Sequence, residues 1–211
     1  MHPSSIGRRF DRRAAHYQNL LTAFIGECEL RQIRPLIPAG VTVLDYGCGT
    51  GRVTFDLAYR GCRVTAFDIS SQMLARAVER AQRLPITLRQ NVVFVHDVEN
   101  LYLRRWNWIT CIGVLDYYPD PHPLLHLLFI LLAEEGRLVI TFPNALSPLG
   151  WLYALFSRFT VPATPRSPAF IRRAVNASGF AILTERYAFP AIRGIGHTII
   201  LLLAKNPTGG S

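Results

Sequence analysis

Lysine is almost missing from this chain: among 23 lysine and arginine residues in 211, Lys205 is the only lysine. Charge is sparse as well, at 18% of residues, while half of the chain is hydrophobic, which excludes the highly charged, weakly apolar composition of disordered proteins. The four cysteines (Cys28, Cys48, Cys62 and Cys111) have no CxxC or Cys/His spacing, so neither a structural zinc site nor a disulfide scaffold is expected. No apolar core with a small-residue cleavage site follows the N-terminal arginines, so no secretory leader is expected, and the chain reads as cytoplasmic. The most apolar run, Leu124 to Ala133, is about half the length that spans a bilayer. Prolines and glycines are scattered, without repeats or low-complexity tracts. One globular domain with a sizeable core follows.

What the chain does have is a formal charge of +9. Such a balance suits anionic partners such as nucleic acid, phospholipid headgroups or acidic carrier proteins, and it suits an ordinary solvated surface equally. Arg8, Arg9, Arg12 and Arg13 form the only dense cluster, which does not support dedicated nucleic-acid binding. The charge leaves peripheral contact with a membrane surface open, and the oligomeric state is not set by anything in the sequence.

Apolar periodicity predicts a helical N-terminal region over 6–34, with Phe10, Ala14, Tyr17, Leu21 and Phe24 on one face, ended by Pro35 and Pro38. Strands are predicted at Val41–Asp45, Arg63–Asp68, Val92–His96, Trp108–Gly113, Arg137–Phe142, Phe180–Ala188 and His197–Lys205. Helices fall between them: Gly51–Tyr59, Ser71–Arg83 with Ser70 as N-cap, Pro121 to about Glu135, and Ala169–Ser178 before Gly179. This alternation predicts an α/β fold, a doubly wound, mainly parallel seven-stranded sheet. The last two strands, joined by a short loop, predict a C-terminal antiparallel hairpin. The organisation is an N-terminal helical cap over 1–40, a main domain over 41–206 with an insertion at about 143–168, and a tail over 207–211.

Asp45-Tyr-Gly47-Cys-Gly49-Thr-Gly51 comes directly after a strand and directly before a helix, where open α/β sheets bind ligands. Its glycine spacing is neither Gly-x-Gly-x-x-Gly nor a P-loop, and alone it would mark only a tight turn. Asp68 closes the next strand. A carboxylate there can accept hydrogen bonds from both hydroxyls of a ribose, and Ser70 already serves the helix cap.

Four pieces in order resemble the class I S-adenosylmethionine-dependent methyltransferases: Val43 to Gly51, Phe67 to Met73, Val93 to Val98, and Ile112 to Pro121. The resemblance covers about Phe10 to Phe142 and implies a Rossmann-like fold with S-adenosylmethionine as cofactor. Residue by residue, it implies that Asp45 and the loop of Gly47, Cys48, Gly49 and Gly51 hold the methionine part. Asp68 would hold the ribose, and Ile69 and Met73 would pack on the adenine. Asp97 would accept from the adenine amino group beside Val98, and Gly113 would lie under the sulfonium. Cys48 reads as small rather than reactive. Phe10-x-x-x-Ala14-x-x-Tyr17 resembles the leading helix of small-molecule members, which implies that Tyr17 reaches the cofactor carboxylate; an aromatic stripe packing an amphipathic helix is the other reading.

The sequence departs from the family at Asn107, where an aspartate is usual, and at Asp116-Tyr117-Tyr118, where many relatives carry Glu or His. Asp116 and Tyr117 are the catalytic candidates, with Tyr118, His122 and His197 also in view, although an aspartate before a helix is equally a turn residue. No Asn/Asp-Pro-Pro-Tyr/Phe motif, Pro-Cys nucleophile or catechol-type aspartate set is present, which leaves metal-independent transfer to O, N or C of a small acceptor. The connection Leu146 to Phe159 is rich in large apolar residues and flanked by Arg158 and Arg166. It reads either as a receiver for a lipophilic, acidic or carrier-bound acceptor, with membrane contact, or as a core helix. A non-catalytic cofactor-binding subunit and an RNA methyltransferase are the competing functions.

Overall fold

The computed structural model describes Asp11, residues 20–157 and residues 164–206. Seven strands make one sheet: β1 (Thr42–Tyr46), β2 (Arg63–Phe67), β3 (Val92–Val95), β4 (Trp106–Cys111), β5 (Leu132–Pro143), β6 (Phe180–Ala188) and β7 (Thr198–Lys205). Their spatial order is β3-β2-β1-β4-β5-β7-β6. All pairings are parallel except those of β7, which runs antiparallel to both β5 and β6. The expected fold is therefore present, with the C-terminal hairpin inserting its second strand between β5 and β6. The run of β7, Thr-Ile-Ile-Leu-Leu-Leu-Ala-Lys, explains that position: it is almost wholly buried, as a strand covered on both faces must be. The edge strand β3 instead leaves Val93 60% exposed.

Helices α1 (Leu20–Ile33), α2 (Arg52–Tyr59), α3 (Ser71–Gln82), α4 (Ile86–Arg89), α5 (His122–Leu131), α6 (Pro148–Ser157) and α7 (Pro168–Ala177) connect or cover the strands. Ser70 caps α3 as expected, its hydroxyl accepting from the Met73 N–H at 3.1 Å. α5 buries Leu124, Leu125, Leu128 and Leu131 against β4 and β5 in the larger core cluster, while Leu30, Ile33, Val53 and Leu57 pack the opposite face.

Several boundaries differ from expectation, those of β4, α5 and β5 the most. β4 begins at Trp106 and ends at Cys111, two residues early, because the ring of Trp106 is buried and its indole N–H donates to the Leu101 carbonyl. α5 stops at Leu131 instead of Glu135. Leu132 is fully buried and extended, paired with Trp106, and the register then jumps to Trp108 opposite Arg137. Strand pairing of a buried leucine overrides the helix preference of Ala133-Glu134-Glu135.

Candidate active site

The order of strands reverses between β1 and β4, so the crevice outside their carboxyl ends is where a ligand fits. The glycine loop leaves β1 there, held to β2 by Gly47 and Cys48 N–H bonds to the Phe67 carbonyl at 2.8 and 2.9 Å. Gly47 has φ +77°, and a Cβ on it would lie 2.3 Å from Val114 Cγ2, so the loop packs directly on the exit of β4. Gly49 and Gly113 also have positive φ, but a Cβ on either would meet no protein atom within 4 Å. Their backbones border open space on the two sides of the crevice.

Asp68 stands at the end of β2, 8% exposed. Its carboxylate accepts the Gly49 N–H at 2.7 Å and the Ser70 N–H at 2.8 Å, so it ties the glycine loop to α3. Burial pushes its pKa from 3.8 up to about 6, against the two N–H donors that lower it. Asp11 reaches the same place: its Oδ1 accepts from the Ser70 hydroxyl at 2.6 Å and from the Gln72 N–H at 3.2 Å.

Asp45 lies near the end of β1. It is 1% exposed, and its two oxygens accept the hydroxyls of Thr54 in α2 and Thr110 in β4, at 2.6 and 2.8 Å. Burial raises its pKa, and the two threonine hydroxyls oppose the rise. It steadies the glycine loop from beneath. The Cys48 thiol is buried and its pKa is pushed well up, so it stays protonated and is a poor nucleophile.

A cavity of about 560 Å³ opens at the ends of β1 and β2, where Tyr46 and Phe67 line it; Asp45, Asp68, Gly113 and the loop residues Gly47, Cys48, Gly49 and Gly51 are not among its lining residues. Of the residues expected around the cofactor, Ile69, Asp97 and Val98 line it. Met73 is 1% exposed beneath α3 and is not among the lining residues. Sequence reasoning did not single out Asp11, Tyr46, Phe67, Tyr102, Leu124 and Leu127, which line it as well. Only Tyr46 carried a usable signal, since strand alternation puts it on the face of β1 opposite to Asp45. Burial raises the phenol pKa of Tyr46 and of Tyr118, so both remain protonated.

Asp116 and Tyr117 lie on the 3-10 turn Leu115–Tyr117 after Gly113. Asp116 is 3% exposed and Tyr117 half-buried; neither lines the cavity, whereas Tyr118 does. The turn is fastened by the segment before α7: the Thr164 N–H donates to the Asp116 carbonyl at 2.9 Å, and the Arg166 guanidinium donates to the carbonyls of Tyr118 and Pro119. His122 starts α5, exposed, with its N–H on Asp120 Oδ1 at 3.0 Å. Tyr17, the arginine cluster at 8–13, Arg158, Phe159 and the tail 207–211 lie outside the described residues.

In the connection after β5, Leu146 and Trp151 are each 66% exposed and Leu152 and Leu155 about half exposed, while Ser147 and Gly150 are buried. Asn144, fully buried, anchors its start. The side chain donates to the Gly194 and Gly196 carbonyls at 3.3 and 3.0 Å, which brings the 190–196 loop, with exposed Ile192 and Ile195, alongside.

A protein-family model described as a methyltransferase domain matches residues 37–160. The chain belongs to this family. The methyltransferase domain is 29% identical over 171 residues to the ubiquinone biosynthesis O-methyltransferase of Psychrobacter cryohalolentis, covering 71% of this chain and 66% of the relative. It is 34% identical over 143 residues to the magnesium-protoporphyrin O-methyltransferase of Rhodobacter capsulatus, covering 65% and 59%. The chain thus spans about two thirds or less of the length of these curated relatives. Among solved structures, the magnesium protoporphyrin IX methyltransferase of Synechocystis, with bound SAH, superposes with a TM-score of 0.73 at 21% identity, over 97% of this chain and 100% of that one. A glycopeptide N-methyltransferase shares the fold at a TM-score of 0.65 and 16% identity, covering 86% of this chain and 95% of that one. Both O- and N-methyltransferases are built on this fold, so the fold does not choose the acceptor atom.

Proposed function

We propose that this methyltransferase domain transfers the methyl group of S-adenosylmethionine, without a metal, to an oxygen of a small lipophilic acceptor taken up beside a membrane surface. The cofactor half is supported by the crevice itself: positive-φ glycines bordering open space, a buried carboxylate at the end of β2, and a cavity of the size that small-molecule sites have. Asp68 would accept the ribose hydroxyls, Ile69 and Val98 would flank the adenine, and Asp97 would accept from its amino group. Gly49 and Gly113 give open backbone that lets the methionine end approach, Gly47 and Gly51 let the loop pack on Val114 and Phe55, and Asp45 and Met73 support from beneath. Tyr17 is assigned to the cofactor carboxylate. The choice of oxygen is supported by the curated relatives, which are O-methyltransferases.

The observation that carries the acceptor half is the exposure of Leu146, Trp151, Leu152 and Leu155, together with that of Ile192 and Ile195 on the loop that Asn144 holds, in a chain of net charge +9. Exposed apolar side chains on a positively charged chain suit a hydrophobic molecule or an anionic lipid surface.

The cofactor supplies an activated methyl group on a sulfonium, so the chain's own residues align a nucleophile and exclude water. An acceptor carboxylate reacts without losing a proton. A hydroxyl acceptor needs a base, and Asp116 and Tyr117, on the turn past Gly113, are assigned that role.

The test is turnover of labelled methyl groups against quinone-precursor, porphyrin, carrier-protein and RNA fractions. Label in the quinone or porphyrin fraction is expected. Label confined to RNA would overturn the proposal, and no label anywhere would favour a non-catalytic cofactor-binding subunit.

A further inference from the structure

Parallel pairing of β2 with β3 sets Phe67 opposite Val95, so the next residues, Asp68 and His96, leave the sheet side by side. His96 Nδ1 lies 3.1 Å from the Asp68 main-chain oxygen. A carbonyl oxygen only accepts, so Nδ1 carries a proton and donates it. The neutral ring then has its lone pair on Nε2, on the other side of the ring from that bond. Among the described residues this is the hydrogen bond that the ring makes. His96 is exposed, and it lines the cavity together with Ile69, Asp97 and Val98.

The adenine of S-adenosylmethionine carries an amino group at its six-position, with two N–H bonds that diverge in the plane of the ring. An acceptor in line with one of them is out of line with the other. Asp97, assigned above to this amino group, therefore serves one N–H. The other needs an acceptor of its own, because a donor taken out of water without a partner keeps its whole desolvation cost.

The cavity wall offers three further strong acceptors, Asp11, His96 and Glu99. Asp11 is engaged at the start of α3, where its Oδ1 takes the Ser70 hydroxyl and the Gln72 N–H. Glu99 is exposed in the first turn of the 3-10 helix Val98–Leu103, and it must give up rotamer freedom to hold a ligand. His96 adjoins Asp97 in the chain, and its bond to Asp68 already orients the ring.

We infer that His96 accepts the second amino N–H of the adenine through Nε2, so that His96 and Asp97 together select a 6-amino purine. Its tie to the Asp68 carbonyl spaces this contact against the ribose contact. His96 is thus a specificity residue for the cofactor. A purine with oxygen at the six-position would set its lone pairs against Nε2 and the Asp97 carboxylate. The inference rests on the adenosine lying in this cavity, as proposed above.

The test is titration calorimetry on the full chain with S-adenosylhomocysteine, which binds without reacting, and with its 6-deamino analogue, in which hydrogen replaces the amino group. In His96→Asn the amide nitrogen overlays Nδ1 and keeps the bond to the Asp68 carbonyl, while nothing replaces Nε2. This variant should bind S-adenosylhomocysteine about tenfold more weakly, the worth of one hydrogen bond, and the analogue as the wild type does. Its denaturant midpoint should not move. A second measurement leaves His96 untouched: Asp97→Ala should still prefer the amino ligand about tenfold. Equal weakening of both ligands in His96→Asn would mean that the ring serves only the Asp68 backbone, and overturns the inference. Wild-type affinity for both ligands overturns it too, as does loss of the preference in Asp97→Ala, or an amino-dependent loss that appears in Glu99→Ala instead. Failure of the proposed cofactor placement would look different: Asp68→Ala and Asp97→Ala would then leave both affinities unmoved, and this contact would fall with it.

Discussion

At the scale of single residues, the site is set by what burial does to Asp68 and by what the glycines leave open. A carboxyl with a pKa near 6 is half protonated in mildly acidic solution, where an ordinary aspartate is fully ionised. Through the window from about pH 4 to 6, the folded chain holds this proton more tightly than the unfolded chain, so apo stability falls as pH rises and then levels off. Cofactor affinity should run the opposite way, because only the carboxylate accepts from both ribose hydroxyls. Titration calorimetry is expected to give a flat Kd above about pH 7 and a rise of about tenfold per unit well below 6. Asp68→Asn should bind weakly with no such dependence; a wild-type Kd level down to about pH 4.5 would remove Asp68 from the ribose. Gly49 offers a second probe, with Gly61 as its control. Both have positive φ and open space where a Cβ would go. Each alanine variant should lose about 1–2 kcal/mol of stability from the left-handed backbone, measured by denaturant unfolding. Only Gly49→Ala should also weaken the cofactor, since Gly61 lies before β2, at the far ends of the strands. Equal cofactor affinity in the two would place the ligand elsewhere.

At the scale of elements, the legible features were those that one segment specifies by itself. The Ser70 cap, the left-handed glycines and the wholly apolar run of β7 could each be read locally, and β7 lies between two neighbours as such a run requires. The end of α5 was not legible, because Ala133-Glu134-Glu135 favours helix and only the partner Trp106, far away in sequence, makes Leu132 a strand residue. The cavity obeys the same rule. Ile69, Asp97 and Val98 sit in motifs that follow their strands, whereas Asp11, Tyr102, Leu124 and Leu127 come from separate elements and meet only in the fold. Asp45 shows the limit most clearly. Its carboxylate bridges Thr54 and Thr110, one from a helix and one from the neighbouring strand, and no spacing in the sequence announces both. The same applies to Asp11, whose partners Ser70 and Gln72 are 59 and 61 residues away.

At the scale of the whole molecule, the charge and the apolar surface act together or not at all. No described helix is long and apolar enough to cross a membrane. Trp151, Leu152 and Leu155 lie within one ten-residue helix, with Leu146 just before it and Ile192 and Ile195 on the loop that Asn144 holds alongside. On the proposed function, long-range attraction of a +9 chain to anionic lipid would bring this surface to the bilayer, and burial of its apolar groups would then hold it there. The two contributions separate by experiment. Binding to phosphatidylglycerol-containing vesicles should exceed binding to phosphatidylcholine alone, and salt at about 0.5 M should largely abolish the difference, since screening then acts within a few ångströms. Trp151→Ala should weaken vesicle binding about tenfold at low salt, in keeping with the apolar area withdrawn. Because the side chain is exposed, its removal should move stability by no more than about 0.5 kcal/mol. If the variant binds vesicles as the wild type does, the helix is not the contact, and arginines elsewhere on the surface account for the attraction. If it loses several kilocalories of stability instead, the side chain belongs to the core and the acceptor surface must be sought on another face.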